Sequence, residues 1–342
     1  MVTWRCLSAE EARPNWDKWL SGFNDYHVKQ TWAWGAWKRN SWEVIPTALL
    51  NGETPMAMAL GLLRKAPVGA ATVLWINGGP VFRKDRPIEQ DFASLSKYLE
   101  GLKSHLATYS RPVLRLNLAG SMDLEAQLVL RQRGFVRPLL PLDTGLTYVV
   151  ELNRSLDELM AGLERNWRNQ LRRAEAAAPE ITFGSDFSLW QRYLPLHNEL
   201  VERKGLRAQS LSLADLERMS KELGGQIEFM VVKAQGKDGC GGALWTFKEK
   251  AYFALSAANA WGLERNLPNF MYWRAITRLK DAGFKKFDLT GIDPLRNWGV
   301  FNFKRGLQAR AVEQLGEWEW SPSPWTRRAF NLGLWLKQGS LA

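Results

Sequence analysis

Val44-Ile-Pro-Thr-Ala-Leu-Leu50 and Met56-Ala-Met-Ala-Leu-Gly-Leu-Leu63 flank Asn51-Gly52. Asn-Gly between two apolar runs is a strong hairpin signal, because both residues tolerate the positive φ of a tight turn. A third apolar run, 72–76, ends in Asn77-Gly78-Gly79-Pro80. Phe92, Leu95, Leu99, Leu102 and Leu106 then recur at helical spacing. Residues 113–118 read as a strand, and 125–133 as a helix closed by Gly134.

The second half repeats this order. Runs 227–232 and 241–247 flank a turn at 236–239, and 251–257 is a third strand. Residues 270–282 predict a helix with Trp273, Ile276 and Leu279 on one face, followed by a strand at 286–289. Both halves therefore read hairpin, strand, helix, strand, although their sequences are dissimilar. The expectation is an α/β (α+β) chain of two related domains with mixed twisted sheets flanked by helices. Domain 1 is expected over 1–147, completed by 321–342, and domain 2 over 148–320.

Two helices are expected between the halves. Ser155 and Glu158 form a capping-box signature. Leu156, Leu159, Leu163, Trp167 and Leu171 make an apolar stripe, with Arg165, Arg168 and Arg172 opposite. The next helix covers about 189–203. After Ser321-Pro-Ser-Pro324, residues 325–337 read as an amphipathic tail helix.

Composition narrows the function. The 342 residues include 46 Lys and Arg against 35 Asp and Glu, a net charge of +11. Such an excess suits a polyanionic partner: nucleic acid, a phosphorylated metabolite or an anionic membrane. Cys6 and Cys240 are too distant in sequence to suggest a disulfide framework, and His27, His105 and His197 show no zinc spacing. Residues 1–11 contain acidic groups where a signal peptide needs an apolar run. The uncharged stretch 66–82 is broken by Pro67, Gly69, Asn77, Gly78, Gly79 and Pro80, so it cannot span a bilayer. A reduced, cytoplasmic protein without bound metal is expected.

The chemistry concentrates in Asp288-Leu-Thr-Gly-Ile-Asp-Pro294 and Gly299-Val-Phe-Asn-Phe-Lys-Arg-Gly306. A strand ends in turns and is followed by an aromatic-plus-cation pair, at the kind of strand end where α/β sheets hold ligands. Phe303 beside Lys304 joins a stacking surface to a positive charge, which suits a nucleotide.

These blocks resemble the FemABX family of aminoacyl-tRNA-dependent peptidyltransferases. Arg203-Lys-Gly205, Asn266-Leu-Pro-Asn269, Gly283-Phe284, Gln30-Thr-Trp32, Trp37-Lys38 and Gly79-Pro-Val81 add to the resemblance, which is scattered over about 30–320. It implies two GNAT-like domains and a reaction without a cofactor. An amino group of a peptidoglycan stem peptide attacks the ester carbonyl of an aminoacyl-tRNA, and the tRNA leaves through its ribose hydroxyl. The partners implied are aminoacyl-tRNA and a UDP-linked or lipid-linked precursor, with no DNA.

By this resemblance Phe303 packs on the terminal adenosine of tRNA, Lys304 faces the developing oxyanion, and Arg305 adds a tRNA contact. Lys38 and Arg203 grip the precursor phosphates, with Lys204 and Arg207 as neighbouring cations. Tyr252, Asn117 and Asp293 are candidates for the acceptor site. One departure is clear: where the family often has Arg-Ile-Asp-Pro, this chain has Arg115-Leu-Asn-Leu118. An amide cannot act as a carboxylate base. Nothing between 189 and 226 is long enough for a coiled-coil arm, so Arg165, Arg168, Arg172 and Arg173 become candidates for tRNA phosphates.

Each assignment has a plainer counterpart. Lys304 could be a surface lysine, Lys38-Arg39 and the arginine stripe solvated faces, Tyr252 and the N-terminal tryptophans core, Asp288 and Asp293 turn caps, and His197 structural. The tail alternates Trp325, Phe330, Leu334 and Trp335 with Arg327, Arg328 and Lys337. It could rest on the inner face of the membrane or pack on domain 1. Two other functions compete. A GNAT-type acyl-CoA N-acyltransferase would want a Gly-rich pyrophosphate nest, and 260–269 contains only Gly262. A noncatalytic RNA- or membrane-binding protein leaves Phe303-Lys304 without a role.

Overall fold

The computed structural model describes residues 1–66, 71–205 and 210–339, with side chains through 336. Pro67, Gly69, Arg207 and the side chain of Lys337 lie outside the described residues. The chain divides into two compact units, Met1–Gly145 with Glu313–Ser340, and Leu146–Val312.

Unit 1 begins with β1 (Val2–Cys6), α1 (Ala9–Ala12), α2 (Trp16–Ser21) and α3 (Trp32–Lys38). The expected hairpin is β2 (Glu43–Asn51) and β3 (Thr54–Lys65), followed by β4 (Thr72–Asn77), α4 (Ile88–Leu106), β5 (Pro112–Ser121) and α5 (Leu124–Gln132). Unit 2 opens with β6 (Leu146–Glu151), α6 (Leu156–Gly162), α7 (Arg165–Ala176), β7 (Glu180–Gly184), α8 (Phe187–Arg203) and α9 (Leu213–Leu223). It continues with β8 (Ile227–Ala234), β9 (Lys237–Phe247), β10 (Lys250–Ala258), α10 (Ala260–Glu264), α11 (Leu267–Asp281), β11 (Lys286–Gly291) and α12 (Trp298–Arg305). The chain then returns to unit 1 as β12 (Arg310–Trp320) and α13 (Pro324–Gly339).

The sheets share one plan. Unit 1 orders its strands β1-β2-β3-β4-β5-β12, antiparallel except for the parallel pair β4–β5. Unit 2 orders them β6-β11-β10-β9-β8-β7, antiparallel except for β10–β11. A parallel pair needs a crossover, supplied by α4 in one unit and by α10 and α11 in the other. In unit 1, Leu95, Tyr98, Leu99 and Leu102 of α4 bury against Leu49, Leu74, Leu114 and Trp318. In unit 2, Phe270, Trp273 and Ile276 of α11 bury against Leu171, Phe253 and Phe287. The two units share one plan of strands and crossover helix, as the repeated element order predicts.

Three expectations change. The stripe Leu156–Leu171 lies on two helices, not one, because Leu163 adopts an extended conformation between α6 and α7. Residues 313–320 belong to unit 1: Trp318 of β12 pairs with Leu116 of β5 and is fully buried there. Strands β1, β6, β7 and β12 and helices α1, α2, α3, α9, α10 and α12 add elements beyond the sequence reading. Among the described residues no helix is long and apolar enough to cross a membrane.

Two of the scattered motifs are packed on one another. Gln30 is fully buried, and its amide donates to Asn77 O at 2.9 Å and accepts from Leu60 N at 2.7 Å. Gly78 has φ +80°, and a Cβ there would stand 2.6 Å from His27 Nδ1. Gly78→Ala therefore combines a disfavoured backbone with overpacking and should cost about 1–3 kcal/mol. Urea unfolding checks this: the midpoint should fall with an unchanged m-value.

Candidate active site

The end of β11 carries the candidate site of unit 2. Asp288 Oδ1 accepts from Thr147 Oγ1 at 2.5 Å and from Thr290 N at 2.7 Å. Thr290 has φ +60°, an uncommon conformation for a β-branched residue. Asp293 Oδ1 then accepts from Leu295 N at 3.0 Å and Arg296 N at 2.8 Å, making the turn into α12.

Lys304 lies in the last turn of α12, where the helix dipole favours a cation. It is only 5% exposed. Its Nζ donates to Thr290 O at 3.2 Å and Gly291 O at 3.0 Å. Burial pushes its pKa down to about 8, and the nearby Asp288 carboxylate opposes that shift. An ammonium has three N–H donors. Two of them are used by the carbonyls and the side chain is buried, so this is no solvated surface lysine.

Phe303 sits edge-on to Tyr272 at 4.9 Å and tilted to Trp167 at 5.9 Å. Tyr272 in turn stacks on Phe253 at 4.3 Å. Burial raises the Tyr272 hydroxyl to about 12, so it stays protonated. The buried Trp167 Nε1 has no hydrogen-bond partner among the described residues. An orphaned donor beside Phe303 is a feature that helical periodicity, which marks Trp167 simply as core, cannot reveal.

The other assigned residues of unit 2 lie on several elements. Tyr252 is buried on β10 and in register with Asp288, so the two share a face of the sheet. Alternation sends Phe253 and Phe287 to the opposite face. Arg203 Nη2 donates to Ala258 O at 3.0 Å, with Glu199 at 3.6 Å. Arg305 is exposed and 3.5 Å from Glu164. On α7, Arg165 and Arg172 face solvent, while Arg168 donates to Ala161 O at 3.2 Å. His197 is buried 3.3 Å from the Tyr193 hydroxyl.

The remaining candidates lie in unit 1. Lys38 Nζ stands 3.7 Å from the Trp37 ring centroid, a close cation–π contact. Asn117 is buried on β5, and its Oδ1 lacks a partner among the described residues. Its Nδ2 is 3.5 Å from Asp143 Oδ2. Asp143, which no local pattern marks as a site residue, is a carboxylate beside the amide that stands where the resemblance expects Asp. Asp143-Thr-Gly145 is a turn in which Oδ1 accepts from Gly145 N at 2.9 Å.

The crossover after β10 uses its own backbone amides. Asn259 N donates to Gly239 O, Ala260 N to Glu199 Oε1, Gly262 N to Asn259 Oδ1 and Leu263 N to Asn259 O. Those amides are consumed within the chain, so they do not form an open anion nest.

Comparison with known proteins agrees with this architecture. Residues 161–305 match the acetyltransferase (GNAT) domain family. A crystal structure of FemX aligns with 96% of this chain and 100% of its own, at TM-score 0.81 and 15% identity. The C-terminal domain of a putative lysylphosphatidylglycerol synthetase from Agrobacterium fabrum covers 95% of this chain and 96% of its own, at TM-score 0.55 and 13% identity. A tandem GNAT protein from the clavulanic acid biosynthesis pathway covers 95% and 99%, at TM-score 0.54 and 12% identity. No curated protein matches the sequence. The FemABX resemblance read from the motifs thus holds at the level of fold: the chain has the architecture of FemX, built on GNAT-type domains.

Proposed function

We propose that the protein transfers an amino acid from aminoacyl-tRNA to an amino group on the stem peptide of a peptidoglycan precursor. The observation that carries this reading is Lys304: a buried ammonium fixed by two carbonyls at the end of β11, on the residue that follows Phe303. The acceptor amine attacks the ester carbonyl, a C–N bond forms, and the C–O bond to the tRNA ribose breaks. The amine proton passes to water or a substrate oxygen, and the ribose oxygen leaves as a hydroxyl. Lys304 stabilises the intermediate oxyanion, and the aromatic wall of Phe303 receives the terminal adenosine. Because the ester is already activated, positioning and charge stabilisation suffice.

The fold of FemX supports this reading. Lys38 and Arg203 are assigned to the precursor phosphates, Tyr252, Asn117 and Asp293 to the acceptor side, and Arg305, Arg165, Arg168 and Arg172 to tRNA. The GNAT family match favours a second reading, acyl-CoA-dependent N-acylation. The consumed amides of 259, 260, 262 and 263 weigh against it, since pyrophosphate would find few open donors there.

The deciding experiment offers labelled aminoacyl-tRNA and labelled acetyl-CoA separately to UDP-linked and lipid-linked stem-peptide precursors. Label should reach a precursor only from aminoacyl-tRNA. Transfer from acetyl-CoA alone would overturn the proposal.

A further inference from the structure

Helix α13 is apolar on two sides. Its inner side packs on unit 1: Phe330 and Leu334 contact Ala71, Val73 and Val113. Asn331 adds polar anchors, donating to Glu319 Oε2 at 2.7 Å and accepting from Leu140 N at 3.0 Å. The outer side is exposed. Trp325 is 74% exposed, Leu332 56%, Trp335 59% and Leu336 51%. With Ala329 they recur at i, i+4, i+7, i+10 and i+11, which at about 100° per residue forms a single stripe. The adjoining loop held by Asn331 exposes Leu139 as well, at 69%.

A monomer rarely leaves so continuous an apolar stripe in water. Its charge pattern selects a cover. Residues 321–339 carry Arg327, Arg328 and Lys337 and no carboxylate, within a chain of net charge +11. Arg328 lies in the exposed row itself. Tryptophans stand near both ends of the stripe, and indole rings favour the headgroup level of a bilayer. We propose that α13 docks unit 1 on an anionic phospholipid surface, with the Trp325–Leu336 stripe entering the acyl boundary and Arg328 among the headgroups. The inference concerns a surface separate from the Lys304 site and does not depend on the reaction proposed there.

The test is co-sedimentation of the full chain with phosphatidylcholine vesicles, with and without about 30% phosphatidylglycerol. Binding should require the anionic lipid and weaken as salt is raised. Trp325→Ser with Trp335→Ser should weaken it at least tenfold, and Arg328→Gln should weaken it several-fold, with unchanged far-UV circular dichroism. No sedimentation with anionic vesicles would overturn the proposal, as would wild-type binding by the double variant. Sedimentation velocity examines another occupant. A dimer that the double variant dissociates, in a protein indifferent to vesicles, would assign the stripe to a second copy of the chain.

Discussion

Lys304→Ala is expected to lower aminoacyl transfer by about 10²–10³, the usual cost of losing one preorganised oxyanion donor. The effect should fall on kcat, because the interaction forms as charge develops on the carbonyl oxygen. Only the protonated amine can donate to and neutralise that oxygen. With its pKa held near 8 by burial, the wild-type rate should be flat below about pH 8 and decline above it. The variant should lack that alkaline limb. Stability supplies an independent readout. The ordinary lysine pKa is 10.5, so the folded protein releases this proton before the unfolded chain does. Wild-type stability attributable to Lys304 should therefore rise as pH goes from about 8 to 10.5, and that increment should vanish in Lys304→Ala. Near-normal turnover by a folded variant would remove Lys304 from the mechanism.

What could be read in advance depends on sequence distance. The hairpin at Asn51-Gly52, the Ser155 capping box and the α4 periodicity are local signals, and all three form. Strand β12 reads as part of the second domain because it follows α12 directly. Its pairing partner, β5, lies about two hundred residues earlier, and no local pattern reports such a pairing. The same division runs through the site. Phe303 and Lys304 stand out as neighbours with distinctive chemistry. The left-handed Thr290 that aims a carbonyl at Lys304, the orphaned Trp167 Nε1 and the Asp143 carboxylate beside Asn117 depend on tertiary placement. Arg203 illustrates the remaining gap: its charge is evident from sequence, but its hydrogen bond to Ala258 O is not.

Arg115→Met should produce the largest loss of stability, about 3–5 kcal/mol. Arg115 is fully buried on β5 and joins two carboxylates of β12, Glu317 at 2.7 Å and Glu319 at 2.8 Å. It also donates to Leu140 O at 2.7 Å, while Glu317 Oε2 accepts from Leu142 N and Glu319 Oε2 from Asn331. One guanidinium thus ties the last strand, the loop around 140 and helix α13 into unit 1. Removing the cation leaves two buried acids facing each other, and it is this uncompensated charge that costs most. Burial already raises the Glu319 pKa, and Arg115 opposes that rise. Without Arg115 the folded-state pKa should climb further above the ordinary 4.5. The folded state would then hold its proton longer than the unfolded chain, so the deficit should grow as pH rises through 4.5 toward the new folded value. Urea unfolding at pH 5 and 7.5 should accordingly show a larger loss at the higher pH. Adding Glu317→Gln and Glu319→Gln should restore part of the stability, because neutral amides need no counter-ion. Equal midpoints for wild type and Arg115→Met would mean that apolar burial, with Trp318 at its centre, holds β12 in unit 1 without the ion triad.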